Sequence, residues 1–140
     1  MNYADNQNKF VVIVRRDIAP AQLLNAVAHC CSGLVERVGV QAEFLDYPSL
    51  AGKWTARISR WPVIILTAKN ANQMARFVND ASERNLAFNC FTNAMLGESA
   101  QQQQSQVAKD SSLEYWAIAA FGDASILREI TRRFSLYRSN

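Results

Sequence analysis

Apolar residues in this chain form short runs that alternate with longer amphipathic segments. The run at residues 9–15 is continuous, β-branched and aromatic, with no alternating polar positions. Such a run is typical of a strand covered on both faces, so we expect it at the centre of a sheet. The apolar runs at residues 63–67, 86–91 and 115–121 predict three further strands.

Residues 20–38 have the pattern of a helix that begins at Pro20 and stops before Gly39. Its polar residues recur every three or four positions, which places them in one narrow stripe along the helix. The remaining surface is apolar and contains small residues, so we expect most of this helix to be buried between the sheet and a neighbouring element. The stripe consists of Gln22, Asn25, His29, Ser32 and Glu36.

The segment between the first two buried strands is irregular. Residues 42–47 predict a short edge strand, and residues 48–61 predict a long connection with Trp54 and Trp61 as anchors. The stretch from Lys53 to Trp61 also interleaves bases with aromatic rings, as single-stranded nucleic-acid binders do. The favoured alternative is that the tryptophans hold the loop to the core while the charges stay solvated.

Helical patterns return in the second half of the chain. Asn70 or Asn72 can cap a second helix. The glutamine-rich run at residues 101–106 lacks apolar side chains, which predicts an exposed loop or a solvated helix. After Asp123, a last helix is predicted whose apolar side carries Leu127, Ile130, Phe134 and Tyr137.

This alternation predicts one α/β domain with a mixed sheet of four or five strands and helices on both faces. A length of 140 residues with 49% hydrophobic and 19% charged residues is usual for such a domain. We expect it over residues 9–140, after a flexible N-terminal segment at residues 1–8. No apolar run approaches the roughly 20 residues of a membrane span, and no signal-peptide pattern is present. We therefore expect no membrane association and a cytoplasmic location.

The cysteine pattern and the charge narrow the expected chemistry. The three cysteines cannot all pair within the chain, so we expect free thiols. Cys30 and Cys31 would point roughly 100° apart on a helix, which disfavours a shared metal ion. For that reason we expect no bound metal, and because no Gly-rich phosphate loop follows the first strand, we expect no organic cofactor. A net charge of +3 is too small to predict a nucleic-acid partner by itself.

Four segments together resemble a bacterial domain family of unknown function, number 2000. In chain order they are KFVVIVRRDIAPAQLLNAVAHCCSGL, ISRWPVIILTA, LAFNCFTNAM and AAFGDASILREITRRFSLYR. The resemblance covers nearly the whole chain from about Lys9. It implies the fold of the type-two peptidyl-tRNA hydrolases, in which a sheet of about four strands is packed by helices on both faces.

In those hydrolases, the residues that cleave the ester between peptide and tRNA lie at the start of the first helix and after the third strand. Ala28 and His29 fit the pattern on the helix, whereas Gln22 is the residue nearest to an expected lysine. After the third strand the hydrolases have an Asp-Ala-Gly segment and a threonine. Here the chain reads Phe91-Thr92-Asn93-Ala94, without a carboxylate. The resemblance therefore implies the fold, and fold similarity alone does not transfer the reaction.

His29 is the only histidine and thus the natural candidate for a general base, since histidine changes its charge between pH 5 and 8. The alternative is a structural histidine that hydrogen-bonds to a neighbouring element. Residues on the same stripe could converge with it on a ligand, or the stripe could simply face solvent. The predicted ligand-binding residues are Asp17, Gln22, Asn25, Thr92 and Asn93.

Two functions from different classes fit these residues. The first is binding of a small molecule in a polar cleft at the predicted residues, with a peptidyl-tRNA hydrolase-like esterase as its enzymatic form. The second is a non-catalytic homo-oligomeric module, in which another copy covers apolar surface on the first helix or a sheet edge. The two are compatible because a dimer can build a cleft at its interface. Whether the protein is an enzyme stays open at this point.

Overall fold

Strands and helices alternate along residues 3–138, the part of the chain that this computed structural model describes. Met1 and Asn2, at the start of the predicted flexible segment, lie outside that part. Residues 3–7 form no helix or strand, and the first strand begins at Asn8. The elements within the described part are β1 Asn8–Arg15, α1 Pro20–Val38, β2 Phe44–Ser49, β3 Trp54–Ser59, β4 Val63–Ala68, α2 Ala71–Glu83, β5 Ala87–Thr92, α3 Ala100–Lys109, β6 Tyr115–Asp123, α4 Ala124–Ile130 and β7 Ser135–Leu136.

Five strands form one mixed sheet in the order β5-β6-β1-β4-β7. β1 and β4 are parallel, and the other neighbouring strands are antiparallel. β1 lies at the centre and is covered on both faces, as its unbroken apolar run predicts. Phe10, Val12 and Val14 enter the core on one side of the sheet, whereas Val11 and Ile13 enter the core on the other.

Helices lie on both faces of this sheet, which confirms the predicted single α/β domain with a mixed sheet. α1 packs on β6, β5 and β1, and α2 and α4 pack on the opposite face. α1 starts with a proline in its first turn and ends at Gly39, whose positive φ of 60° favours glycine. The side chain of Asn70 caps α2 by accepting a hydrogen bond from Gln73 N. No helix of the described chain is both long and apolar enough to span a bilayer.

The prediction that most of α1 is buried is wrong. Leu24 is 73% exposed, and Ala21 and Ala28 are also exposed. The reason is that α1 packs on one side only, against β6, β5 and β1. The outer side of α1 therefore faces solvent. Its buried residues form a single stripe toward the sheet: Leu23, Ala26, Cys30, Leu34 and Val38.

The segment predicted as a long connection contains a strand. β3 pairs antiparallel with β2 in a separate two-stranded sheet, so the predicted edge strand does not join the main sheet. Trp61 is buried, and its Nε1 donates a hydrogen bond to Gln41 O at 3.0 Å, which confirms one predicted anchor. Trp54 is 59% exposed, so its predicted role as an anchor is wrong. Its strand pairs with β2 and makes no other extensive contact with a helix or strand of the described chain.

The glutamine-rich run forms the helix α3, and none of its residues is buried. This confirms the solvated helix rather than the exposed loop. The last helix is shorter than predicted, because α4 ends at Ile130. Phe134 and Tyr137 follow it, and the chain then returns along β4 as the short strand β7.

Candidate functional site

An asparagine and a cysteine hold α1 against β5 through a reciprocal pair of hydrogen bonds. Asn89 Nδ2 donates to Cys30 O at 3.0 Å, and Cys30 Sγ donates to Asn89 O at 3.0 Å. Gly33 permits this approach, because a Cβ at that position would run into the amide nitrogen of Asn89. Nearby, Arg37 Nη1 donates to Phe88 O at 2.6 Å. The separation between the helix and the strand is therefore fixed by side-chain contacts.

A cleft of about 430 Å³ opens beside this contact, between α1, β5 and the segment that leads into α3. Pockets of roughly 300–1,000 Å³ are the usual size for small-molecule sites. Two of the predicted site residues, Asn25 and His29, line this cleft from the helix. The complete lining is Asn25, His29, Cys30, Asn89, Cys90, Phe91, Met95, Leu96, Gly97 and Gln103.

The lining of this cleft is polar but uncharged. It contains three side-chain amides, one imidazole and no Asp, Glu, Lys or Arg. Phe91, Met95 and Leu96 add an apolar side, and Leu96 is 50% exposed. Such a surface can exchange hydrogen bonds with a neutral polar group, whereas a charged ligand would lose water without gaining a counter-ion.

His29 is exposed, and its imidazole stacks on the ring of Phe91. The two ring centroids lie 6.0 Å apart, with 23° between the planes. The Phe91 ring in turn meets Trp116 at 6.1 Å and 42°. Aromatic pairs at these separations prefer offset geometries, so the stack positions the imidazole beside the cleft. Its exposed nitrogens can then donate to or accept from a ligand.

The two thiols that line the cleft are poor nucleophiles at neutral pH. Burial raises the pKa of Cys30 to about 12 and that of Cys90 to about 11. Because the thiolate is the reactive form, raised pKa values disfavour attack by either side chain at neutral pH. All three cysteines are free, as predicted. Within residues 3–138, no group of three or more His, Cys, Asp or Glu side chains is arranged to hold a metal ion.

Asp17 does not line the cleft, because an arginine holds it elsewhere. Arg15 donates to both carboxylate oxygens of Asp17, at 2.6 Å from Nη2 and 3.0 Å from Nε. The remaining Arg15 nitrogen, Nη1, lies 2.6 Å from Glu114 Oε2. The hydrogen bond from Arg15 lowers the pKa of Asp17. This network stabilises the loop after β1.

The other predicted ligand-binding residues are also separated from the cleft. Gln22 is exposed on α1, as are the other members of the polar stripe. Thr92 is buried at the end of β5. Asn93 is exposed and lines a second polar cleft, of about 470 Å³, beside α3. The structure therefore brings Asn25 and His29 together and places the four other residues outside their cleft.

The lining residues that sequence reasoning did not predict include Asn89, Phe91 and Gln103. The sequence offered a signal for Asn89, because it is a polar residue in the middle of a mostly apolar strand. Gln103 lies within a run of glutamines that are alike in sequence, and only the tertiary fold distinguishes it.

A larger cleft of about 600 Å³ lies between α2 and the segment that contains α4. Its rim carries four arginines and three carboxylates, with Arg84 paired to Glu129 at 2.8 Å. Opposite charges that alternate along an exposed groove are usual for a solvated surface. The neutral cleft at His29 is smaller, but its polar groups lack charged partners and face a common space.

Comparisons with known proteins agree with this fold. The model of a family described as "Protein of unknown function (DUF2000)" matches residues 8–138. Among solved structures, the chain is similar to a protein of unknown function from Agrobacterium tumefaciens strain C58, with a TM-score of 0.80 and 23% identity. The similarity covers 94% of this chain and 98% of that chain, and at this identity it concerns the fold alone. No curated protein matches the sequence.

Proposed function

Since the chain belongs to DUF2000, a family of proteins of unknown function, we propose a function from the chemistry of its own cleft: binding of a small, uncharged polar molecule between α1 and β5. The observation that carries this proposal is the neutral lining, in which amides and an imidazole face an apolar wall. A carboxylate or phosphate ligand would find no cation there. An ammonium ligand would find no carboxylate.

The arrangement of the lining favours a ligand that has one polar end and one apolar end. A polar end meets the amide of Asn25 and the imidazole of His29, which can supply both donors and acceptors. An apolar end contacts Met95 and Leu96, and it would cover the half of the Leu96 side chain that is exposed. Burial of such surface supplies most of the affinity, while the polar groups orient the ligand.

A thermal-shift screen with small molecules that differ in charge tests this proposal. Uncharged polar compounds should raise the melting temperature of the protein, and charged analogues of the same size should not. For the best compound, Asn25→Ala should weaken binding by about 3- to 10-fold, since a hydrogen bond contributes about 0.5–1.5 kcal/mol. Gln22→Ala is the matched control, because Gln22 lies one turn away on the same stripe and outside the cleft. Binding of charged compounds alone, or equal effects of both substitutions, contradicts the proposal.

The second candidate is a peptidyl-tRNA hydrolase-like esterase that has the fold of the type-two peptidyl-tRNA hydrolases. It is supported by the order of the resembling segments and by an exposed histidine at a cleft. We place it behind ligand binding, because the cleft offers no carboxylate to orient the imidazole and no cation to hold the tRNA phosphates. Release of tRNA from peptidyl-tRNA by wild-type protein, lost in His29→Ala, would establish the esterase. Absence of turnover by well-folded wild-type protein rejects it.

A further inference from the structure

The hairpin formed by β2 and β3 projects from the domain as an arm. Its strands pair with each other, and neither packs extensively on another helix or strand of the described chain. Phe44, at the base of the arm, is the residue of β2 and β3 that packs against the core. An isolated two-stranded hairpin is at best marginally stable in water. We therefore expect another protein surface to cover this arm.

One face of the arm is apolar. The register places Leu45 opposite Ile58 and Tyr47 opposite Ala56, and alternation along β3 puts Trp54 on this same face. Tyr47, Trp54 and Ile58 are 46%, 59% and 51% exposed. Half-exposed large side chains in one continuous row are typical of interaction surfaces.

Most basic side chains of the arm form ion pairs with carboxylates of the same chain, which argues against nucleic acid as the partner of the arm. Arg57 pairs with Asp46 at 2.8 Å, and Arg60 pairs with Glu43 at 3.2 Å. Nucleic-acid affinity depends on cations that are free to replace the counter-ions of the phosphates. Only one of the three bases, Lys53, has no such partner within the described residues. The apolar face is the stronger feature of the arm.

An uncovered apolar surface, called the trough below, lies elsewhere on the same chain, beside α1 and on β4. Val63 and Ile65 align with Phe10 and Val12 of β1, so they point to the side of the sheet on which α1 lies. α1 covers β5, β6 and β1 and leaves this part of β4 open. Val63 is accordingly 57% exposed and Ile65 40% exposed.

The wall of this trough is one flank of α1. Arg37 reaches β5 from the opposite flank of the helix, by its bond to Phe88 O. At 100° per residue, Leu24 then lies on the flank turned away from β5 and toward β4. Leu24 is 73% exposed, and the partly buried Val27 and Cys31 continue the same apolar surface.

We propose that two copies of the chain associate by exchanging arms, so that the apolar face of each hairpin lies in the trough of the other copy. The inference does not depend on the ligand cleft, which is on the β5 side of α1. A two-fold axis makes both contacts equivalent, as in most homodimers. The side chains that would meet are Tyr47, Trp54 and Ile58 of one copy and Leu24, Val63 and Ile65 of the other.

The available area fits a second copy. Aliphatic side chains bury about 60–120 Å² and aromatic ones about 150–250 Å² when fully covered. Scaled by their exposed fractions, these six side chains present on the order of 400 Å² of apolar surface per copy. A standard interface buries about 800 Å² per partner, of which about 450 Å² is apolar. The arm and the trough together therefore supply nearly all the apolar area that a stable dimer needs.

A mixing experiment with two charge variants tests the exchange directly. Ile58→Lys alters the arm and Leu24→Asp alters the trough, and each side chain is exposed enough for the monomer to fold. Sedimentation velocity should give twice the monomer mass of 15.7 kDa for the wild type. Each variant alone should dissociate at least about 100-fold more readily, because an unpaired charge enters an apolar contact. Val107→Asp on the exposed α3 is the control and should remain dimeric.

An equimolar mixture of the two variants should recover the dimer. A mixed pair has one unaltered contact, and its other contact joins an ammonium to a carboxylate. A direct contact between the two arms would leave Leu24→Asp dimeric and would overturn the exchange. Monomeric wild-type protein at all concentrations also overturns it. If that monomer instead shifts a single-stranded oligonucleotide, and Lys53→Ala abolishes the shift, the arm belongs to nucleic-acid binding.

Discussion

Gly33 lies in the middle of α1, a position where alanine ordinarily strengthens a helix by about 0.8–1.0 kcal/mol. Here we expect Gly33→Ala to destabilise the protein. A Cβ at residue 33 would displace the amide of Asn89, which donates to Cys30 O. Losing that hydrogen bond and leaving a partly buried amide unsatisfied costs about 1–3 kcal/mol. The net effect should be a loss of about 1 kcal/mol in the free energy of unfolding.

A double-mutant cycle tests whether the effect of Gly33→Ala on stability changes sign when Asn89 is removed. In the Asn89→Ala background there is no amide to displace, so the helix propensity of alanine should dominate. Gly33→Ala should then stabilise the protein by up to about 1 kcal/mol. The coupling between the two positions should be about 2 kcal/mol, which is large for a pair of surface-proximal residues.

Urea unfolding followed by circular dichroism measures these free energies, with the slope of the transition as a check that the two-state reading holds. The reasoning is refuted if Gly33→Ala stabilises the wild-type background. It is also refuted if the substitution has the same effect in both backgrounds, because the amide would then have no part in the contact between α1 and β5.

Four further predictions concern the core and the titrating groups. Iodoacetamide at pH 8 should leave Cys30 unmodified until urea unfolds the protein and should modify the partly buried Cys90 only slowly, and rapid labelling of native Cys30 would contradict its burial. Because folding raises their pKa values above the usual 9.0, the native state holds more protons, and the free energy of unfolding should fall as pH rises above about 9. Folding lowers the pKa of Asp17, so its contribution is present above about pH 4 and lost as pH falls further. Asp17→Asn should reduce the acid-induced loss in the free energy of unfolding by only a few tenths of a kcal/mol, since the Asp17 side chain is 63% exposed. A larger reduction in an acid titration would argue against that solvent screening. Leu34→Ala should cost about 2–5 kcal/mol in urea unfolding and Leu50→Ala less than about 0.5, because Leu34 is fully buried and Leu50 is 98% exposed; similar values for the two would contradict the packing of α1.

The central part of the fold could be predicted from local sequence patterns. The unbroken run in β1 indicates burial on both faces, and the sheet confirms it. The start of α1 at Pro20 and its end at Gly39 also follow from local chemistry. These features depend on residues that are neighbours along the chain, so no knowledge of the tertiary fold is required.

Features that depend on distant contacts could not be predicted in the same way. The sequence does not distinguish the two tryptophans Trp54 and Trp61. Only Trp61 lies at the core, where its indole N–H donates a hydrogen bond to Gln41 O. The burial of α1 was overestimated because an apolar helix surface does not reveal how many helices share a face of the sheet. Of the predicted site residues, Asn25 and His29 line one cleft, because they lie about one turn apart on the same helix. Asp17 lies outside that cleft, and its carboxylate is held by the arginine two residues before it, a contact that the sequence pattern does not reveal.

An NMR titration with the tightest uncharged ligand tests the proposed binding function most directly. Backbone amide shifts are expected to cluster at Asn25, His29, Asn89 and Phe91, and the same ligand should leave the arginine-rich cleft between α2 and α4 unchanged. Shifts that cluster at the arginine-rich cleft, or that spread over the surface without a common site, would contradict the assignment of the neutral cleft as the binding site.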